Sequence, residues 1–296
     1  VVTPFTPDGE VDVPSLERVT EHLVASGVHG VFVLGSTGEV AYLDREQRAL
    51  VMATVVRTVG GRVPVLAGVI DTTVRRVLEQ VREAVVAGVD AVVATAPIYA
   101  RNDAAEIEDH FRAIAAGSPL PLYAYDIPVR VTTKLGADML VRLGREGVLA
   151  GVKDSSGDDV GFRRLVAANA AAGSPLVLLT GHEVIVDGML LMGADGVVPG
   201  LGNVDPAGYV RLWELGQKGD WVAAREEQNR LAGLFEIVFQ TGGRSGDAAG
   251  VGAFKTALRT LGLIETATMA FPVRALEGEP CERIAAIVRE SGLVGA

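Results

Sequence analysis

The chain has almost no cysteine. Cys281 is the single one in 296 residues, so no disulfide can form within the chain, and a reducing, cytoplasmic setting is the expectation. Cys281 itself reads as a passive small residue near a late helix. Basic runs are missing too. Lys and Arg total 27 against 37 Asp and Glu, a formal net charge of -10, and no basic stripe occurs to serve as a nucleic-acid surface. No apolar stretch approaches the roughly 20 residues of a membrane span, and no charged segment leads into an apolar one as in a secretory signal. The chain opens without Met on a strand-like run, which implies native residues ahead of Val1.

What is present is a globular composition, with 49% hydrophobic and 22% charged residues, enough apolar material for a large core. Short runs rich in β-branched residues recur: Val1-Val2-Thr3, Val31 to Leu34, Val63 to Leu66, Ala91 to Ala94, Leu120 to Tyr125, Val148 to Val152, Leu176 to Leu179 and Asp195 to Val198. Segments with helical spacing lie between them, such as Leu16, Val19, Leu23 and Val24, or Val74, Val77, Leu78, Val81 and Val85. Pro14 early in one helix, Asp44 three residues before Gln47 and Asp103 three before Glu106 supply start signals. Continuous apolar strands alternating with helices suit a parallel sheet covered on both faces, and eight strands predict a (β/α)8 TIM barrel. An open doubly wound sheet is the competing architecture, although no Gly-x-Gly-x-x-Gly follows the first run. Pro206 to Gln217 reads as the eighth helix. Helical segments at Asp220 to Val238, Gly252 to Leu261 and Cys281 to Ser291 then predict a barrel over 1–218 and a C-terminal helical extension packed on it over 219–296, with a Gly-rich link at Thr241 to Gly246.

Barrel sites lie where the strands end. Those ends carry Gly35-Ser36-Thr37-Gly38-Glu39, Ala96-Pro97-Ile98-Tyr99, Tyr125-Asp126-Ile127-Pro128-Val129-Arg130, Lys153, Gly181-His182-Glu183 and Gly200-Leu201-Gly202-Asn203. No Asp/His cluster has metal-ligand spacing, and Ser36 has neither a His partner nor a Gly-x-Ser-x-Gly elbow. Lys153 closes the apolar run Leu149-Ala150-Gly151-Val152. A lysine in a barrel mouth is desolvated, which disfavours the ammonium and leaves a nucleophilic amine. Strand alternation sends Asp154 to the other face. Taken alone, Lys153 also fits a snorkelling lysine paired with a surface acid. An amine attacking a carbonyl needs a weak acid/base of high pKa nearby, and Tyr125 one strand over is such a group, though it also fits a packing aromatic. The Thr37 hydroxyl is placed to orient that phenol, and the Ser36-Thr37 amides to hold a carboxylate.

With these residues in hand, the chain resembles the dihydrodipicolinate synthase and N-acetylneuraminate lyase family of class I aldolases. The likeness rests on Gly35-Ser36-Thr37-Gly38-Glu39, Tyr125-Asp126-Ile127-Pro128 and Gly151-Val152-Lys153-Asp154 in order. It implies that Lys153 forms a Schiff base with pyruvate or another 2-keto acid, that Tyr125 relays protons, and that Ser36 with Thr37 binds the keto acid's carboxylate. It further implies that Tyr99 reaches across a subunit contact into a neighbour's relay and that Val198 lines the pyruvate pocket. No metal or organic cofactor is implied, and the expected assembly is a homo-oligomer, dimer or tetramer. Arg130 stands where the synthase branch receives the carboxylate of aspartate semialdehyde, a charge match suited to a guanidinium. Ser36 in place of a second threonine, Val131 in place of Thr or Ser, His182-Glu183 in place of Asp-Asp, and Pro199-Gly200 depart from that branch. They leave open a 2-keto-3-deoxy-sugar-acid or sialate-type aldolase, in which His182 contacts a hydroxylated sugar acid, or is merely a solvated histidine at a helix start. A keto-acid-binding regulatory protein without turnover is the third reading.

Overall fold

The computed structural model describes residues 1–293, so the last three positions of the expected C-terminal region lie outside the described residues. In chain order the elements are α1 (Val13–Ala25), β1 (Val31–Val33), α2 (Arg45–Val59), β2 (Val65–Gly68), α3 (Val74–Ala87), β3 (Ala91–Thr95), α4 (Ala104–Gly117), β4 (Leu122–Asp126), α5 (Pro128–Val131) and α6 (Ala137–Arg145). There follow β5 (Gly151–Asp154), α7 (Asp159–Ala171), β6 (Val177–Thr180), α8 (Val186–Met192), β7 (Gly196–Val197), α9 (Pro206–Lys218), α10 (Trp221–Phe235), α11 (Gly246–Thr260) and α12 (Glu279–Glu290). The sheet takes its strands in chain order, β1 to β7, and each pairing from β2 to β7 is parallel. This is the α/β alternation expected, with helices continuing after the last strand.

The helix starts follow their sequence signals. Asp44 accepts from the Gln47 amide while the Gln47 side chain returns to the Asp44 amide, and Asp103 and Glu106 repeat this reciprocal box. Asp12 caps α1, whose second residue is Pro14. One expected strand is absent. Val1 to Thr3 makes no ladder: the Val1 amino group donates to the Phe32 carbonyl and the Val2 amide to the side chain of Asn203. Pro4 then supplies no N–H to continue a pairing. α11 also begins at Gly246, six residues ahead of the expected Gly252, because the Ser245 side chain caps it at the Ala248 amide.

Two compact units divide the chain, Leu66–Val198 on the one hand and Val1–Val65 with Pro199–Ala296 on the other. In the first, every residue of β3 is buried, as sheet strands covered on both faces require. Phe111, Leu140, Leu143, Phe162 and Leu165 are buried to within 2% of completely, each contributing roughly 1.5–3 kcal/mol over an exposed side chain. In the second unit α1 packs on α2, α9 on α10 and α11 on α12, around Leu16, Val19, Val55, Leu212, Leu231 and Ile284.

Candidate active site

Within the unit Leu66–Val198, the register of β4 against β5 pairs Tyr125 with Lys153 and Asp126 with Asp154. Side chains alternate along a strand, so one register step sends an amine and a phenol to one face and two carboxylates to the other. On the first face Lys153 Nζ lies 3.3 Å from the Tyr125 hydroxyl and 4.3 Å from the centre of its ring. Tyr125 is buried and Lys153 half-buried. The contact is looser than an optimal N–H···O bond and close enough for a proton to pass between the groups once a substrate is bound. Gly151 makes this strand possible, since a Cβ there would meet the Tyr123 ring at 2.4 Å and the Val177 carbonyl at 2.6 Å.

On the other face, Asp126 and Asp154 share the Lys134 ammonium. Asp126 also accepts from the Leu135 amide, and Asp154 from the Ser156 amide at 2.8 Å and hydroxyl at 2.6 Å. Burial pushes the Asp126 carboxyl up, outweighing the lowering effect of Lys134. Burial alone would lower Lys134, but its hydrogen bond to Asp126 and the two negative charges carry it above the ordinary lysine value. Lys134 did not figure among the sequence candidates. Its partners are fixed by the β4–β5 register, and nothing in its immediate sequence announces them.

The remaining candidates of this unit stand at strand ends. Tyr99 follows β3 and is 99% exposed; its φ is +75° and the Ala100 amide returns to the Ile98 carbonyl, the tight, strained γ-turn that only surrounding structure or function would maintain. Arg130 is exposed on the short α5, where Ile127 and Pro128 turn the chain out of β4. His182 follows β6, with Nδ1 2.9 Å from Asp159 at the start of α7 and its amide on the Thr180 hydroxyl. A carboxylate accepts, so this bond places a proton on Nδ1. Val198, just past β7, is half-buried and donates its amide to the Thr180 carbonyl at 2.8 Å.

In the other unit, Ser36 and Thr37 begin a 3-10 turn that ends at Gly38. The Gly38 amide closes on the Gly35 carbonyl, the Glu39 amide on the Ser36 carbonyl, and the Thr3 hydroxyl holds the Gly38 carbonyl at 2.8 Å. A Cβ at position 35 would come within 2.7 Å of the Phe32 ring, which is why glycine opens the turn. Glu39 closes it at φ +57°, a left-handed conformation that a side chain adopts at a cost. Its carboxylate is paired with Lys255 of α11, and both side chains are essentially without solvent. Burial lowers Lys255 to about 8 against the opposing pull of Glu39. The sequence did contain a signal for Lys255, a lysine on the face of α11 shared with buried Val251 and Leu258, which places a charge where helical spacing wants an apolar side chain. Among the described residues, no group of three or more His, Cys, Asp or Glu is arranged to hold a metal ion, and no helix is long and apolar enough to cross a membrane.

Residues 1–291 match the dihydrodipicolinate synthetase family. The chain belongs to that family. A 4-hydroxy-tetrahydrodipicolinate synthase of Phenylobacterium zucineum is 32% identical over 296 residues, 99% of this chain and 96% of the relative. A DapA-like lyase of Halobacterium salinarum is 35% identical over 231 residues, 78% of this chain and 75% of the relative. Among solved structures, the prophage protein YagE of E. coli K12 in complex with pyruvate has a TM-score of 0.92 at 26% identity, covering 99% of this chain and 97% of that one. The dihydrodipicolinate synthase of Bacteroides thetaiotaomicron has a TM-score of 0.92 at 29% identity, with 98% and 96% covered. The fold class is therefore α/β, a seven-stranded sheet that matches the TIM-barrel structures of this family, followed by C-terminal helices, and the chain is an enzyme of a class I aldolase and lyase family.

Proposed function

We propose that the chain forms a Schiff base between Lys153 and pyruvate or a related 2-keto acid and makes or breaks the adjacent carbon-carbon bond. The observation that carries this is the Lys153 amine 3.3 Å from the Tyr125 hydroxyl on paired strands, and the E. coli relative that holds pyruvate supports it. The amine attacks the keto carbon, the resulting carbinolamine loses water to give the imine, and loss of a C3 proton gives an enamine that adds to an aldehyde; hydrolysis then returns the lysine. Tyr125 carries protons in these steps. Ser36 and Thr37 bind the keto acid's carboxylate, and Val198 lines the pocket for its methyl group. Pyruvate with borohydride should add a reduced pyruvyl group to Lys153, read by intact mass and peptide mapping. A wild-type protein whose mass is unchanged would favour a binding protein without turnover.

The second substrate we propose is aspartate semialdehyde, with Arg130 gripping its carboxylate. Arg130→Ala should then leave pyruvate trapping nearly intact while condensation falls by roughly 10^2-fold, the scale of a lost charge-assisted contact. The competing reading, cleavage of a 2-keto-3-deoxy sugar acid, draws on His182, whose ring is held by Asp159 at a strand end. Wild-type enzyme that ignores aspartate semialdehyde and cleaves such an acid would select it.

Tyr99 fits a shared site, because it is an exposed tyrosine held at φ +75°, a strained conformation of the kind that a functional contact maintains. We propose a homo-oligomer in which Tyr99 enters a neighbour's proton relay. Tyr99→Phe should lower turnover by roughly 10^2-fold, the lower end of what proton transfer contributes, without changing the melting temperature. Mixing Lys153→Ala chains with Tyr99→Phe chains should recover activity in mixed assemblies. A fully active monomer would refute the shared relay.

A further inference from the structure

The Glu39–Lys255 pair is an unusual investment for a stabilising element. Lys255 is 0% and Glu39 1% exposed, and a buried ion pair holds a fold no better than apolar residues of the same volume. Its geometry binds four separate segments at one point. Lys255 Nζ donates to the Thr268 carbonyl at 2.8 Å and stands 4.2 Å over the Phe5 ring, while Glu39 Oε1 accepts from the Ala270 amide at 2.9 Å. The Thr266 hydroxyl ties the same strip to the Phe5 carbonyl at 2.8 Å. What these contacts fix is the carboxylate of the residue that ends the Ser36–Gly38 turn in a left-handed conformation.

That conformation must be imposed, since a glutamate released from its partner relaxes toward the ordinary right-handed or extended regions. Relaxation at Glu39 would rotate the peptide that links it to Gly38 and carry the turn with it. The Glu39 amide closes the turn on the Ser36 carbonyl at 3.0 Å, so Ser36 moves first. We infer that Lys255 is a positioning residue which, by anchoring Glu39, holds Ser36 and Thr37 in the arrangement that receives the keto acid's carboxylate. The inference rests on the proposed carboxylate-binding role of that turn. Loss of the pair weakens binding of the keto acid and leaves imine formation at saturation largely intact, because Lys255 and Glu39 act on the turn and not on the reacting carbon.

The test is the concentration of pyruvate that half-saturates borohydride trapping of Lys153, measured well below the melting temperature of each variant, together with the trapping rate at saturation. Lys255→Met should raise the half-saturating concentration by roughly tenfold, the scale of one weakened charge-assisted contact, and change the saturated rate by less than about threefold. Glu39→Gln keeps an acceptor for the Ala270 amide and loses only the charge. It should shift half-saturation in the same direction, and it supplies the measurement should Lys255→Met fail to fold. Ser36→Ala and Thr37→Val are run alongside. Turn variants that weaken pyruvate while both pair variants melt lower but bind pyruvate normally would overturn the inference and leave the turn's role standing. Turn variants that bind pyruvate normally would remove that role, and the inference with it.

Discussion

Lys153→Ala is expected to abolish turnover, by on the order of 10^4-fold or more, as removal of a covalent nucleophile does, while melting within a few degrees of wild type. The chemical half follows from the proposed mechanism: without the amine no imine forms, and no other group at the end of β5 can replace it. The structural half follows from the ladder. Lys153 pairs through its backbone with Tyr125 and Leu179, which alanine preserves, and the buried acid next in sequence, Asp154, directs its oxygens to Lys134 and Ser156. Alanine removes the approach of the amine to the Tyr125 ring and its 3.3 Å contact with the Tyr125 hydroxyl, together worth on the order of 1–2 kcal/mol. Lys153→Arg should be equally inactive although it restores a cation over the ring. Activity assays with pyruvate plus aspartate semialdehyde, beside thermal melts, decide the matter. A Lys153→Ala enzyme with measurable wild-type turnover would sink the imine.

The reach of the sequence in this protein follows the range of the interactions involved. The capping boxes at Asp44 and Asp103, the proline start of α1 and the glycine before Ser36 are local devices, complete within a few residues, and they occur where the sequence puts them. Tyr125 and Lys153 were legible as a pair because strand period and strand order together bring their positions side by side. Three features escaped for a common reason. Val1 to Thr3 has strand composition, but its partners are a carbonyl and a distant Asn203 side chain. Lys134 and Lys255 are defined by carboxylates on other elements, eight, twenty and more than two hundred residues away. Composition reports that a charge exists, and only the fold says what it faces.

Lys134→Met should destabilise the protein by roughly 2–4 kcal/mol, somewhat less than the full cost of leaving a buried charge unpaired because a third of the Lys134 side chain meets water. The β4–β5 register sets Asp126 directly opposite Asp154, and like charges opposite one another across a ladder repel. Their side chains are 0% and 5% exposed, so water cannot screen them and Lys134 is the cation that makes the pairing tolerable. Removing it by a methionine of similar length keeps the packing and isolates the charge effect. Urea unfolding followed by circular dichroism gives the loss. Adding Asp126→Asn to Lys134→Met should recover part of it, since asparagine still accepts from the Leu135 amide and ends the repulsion; a Lys134→Met protein as stable as wild type would mean that the carboxylates do not need the cation. The same step of register that sets the phenol beside the amine forces the two acids together behind them. A lysine outside the proposed chemistry therefore holds the strands in the alignment that the proposed chemistry uses.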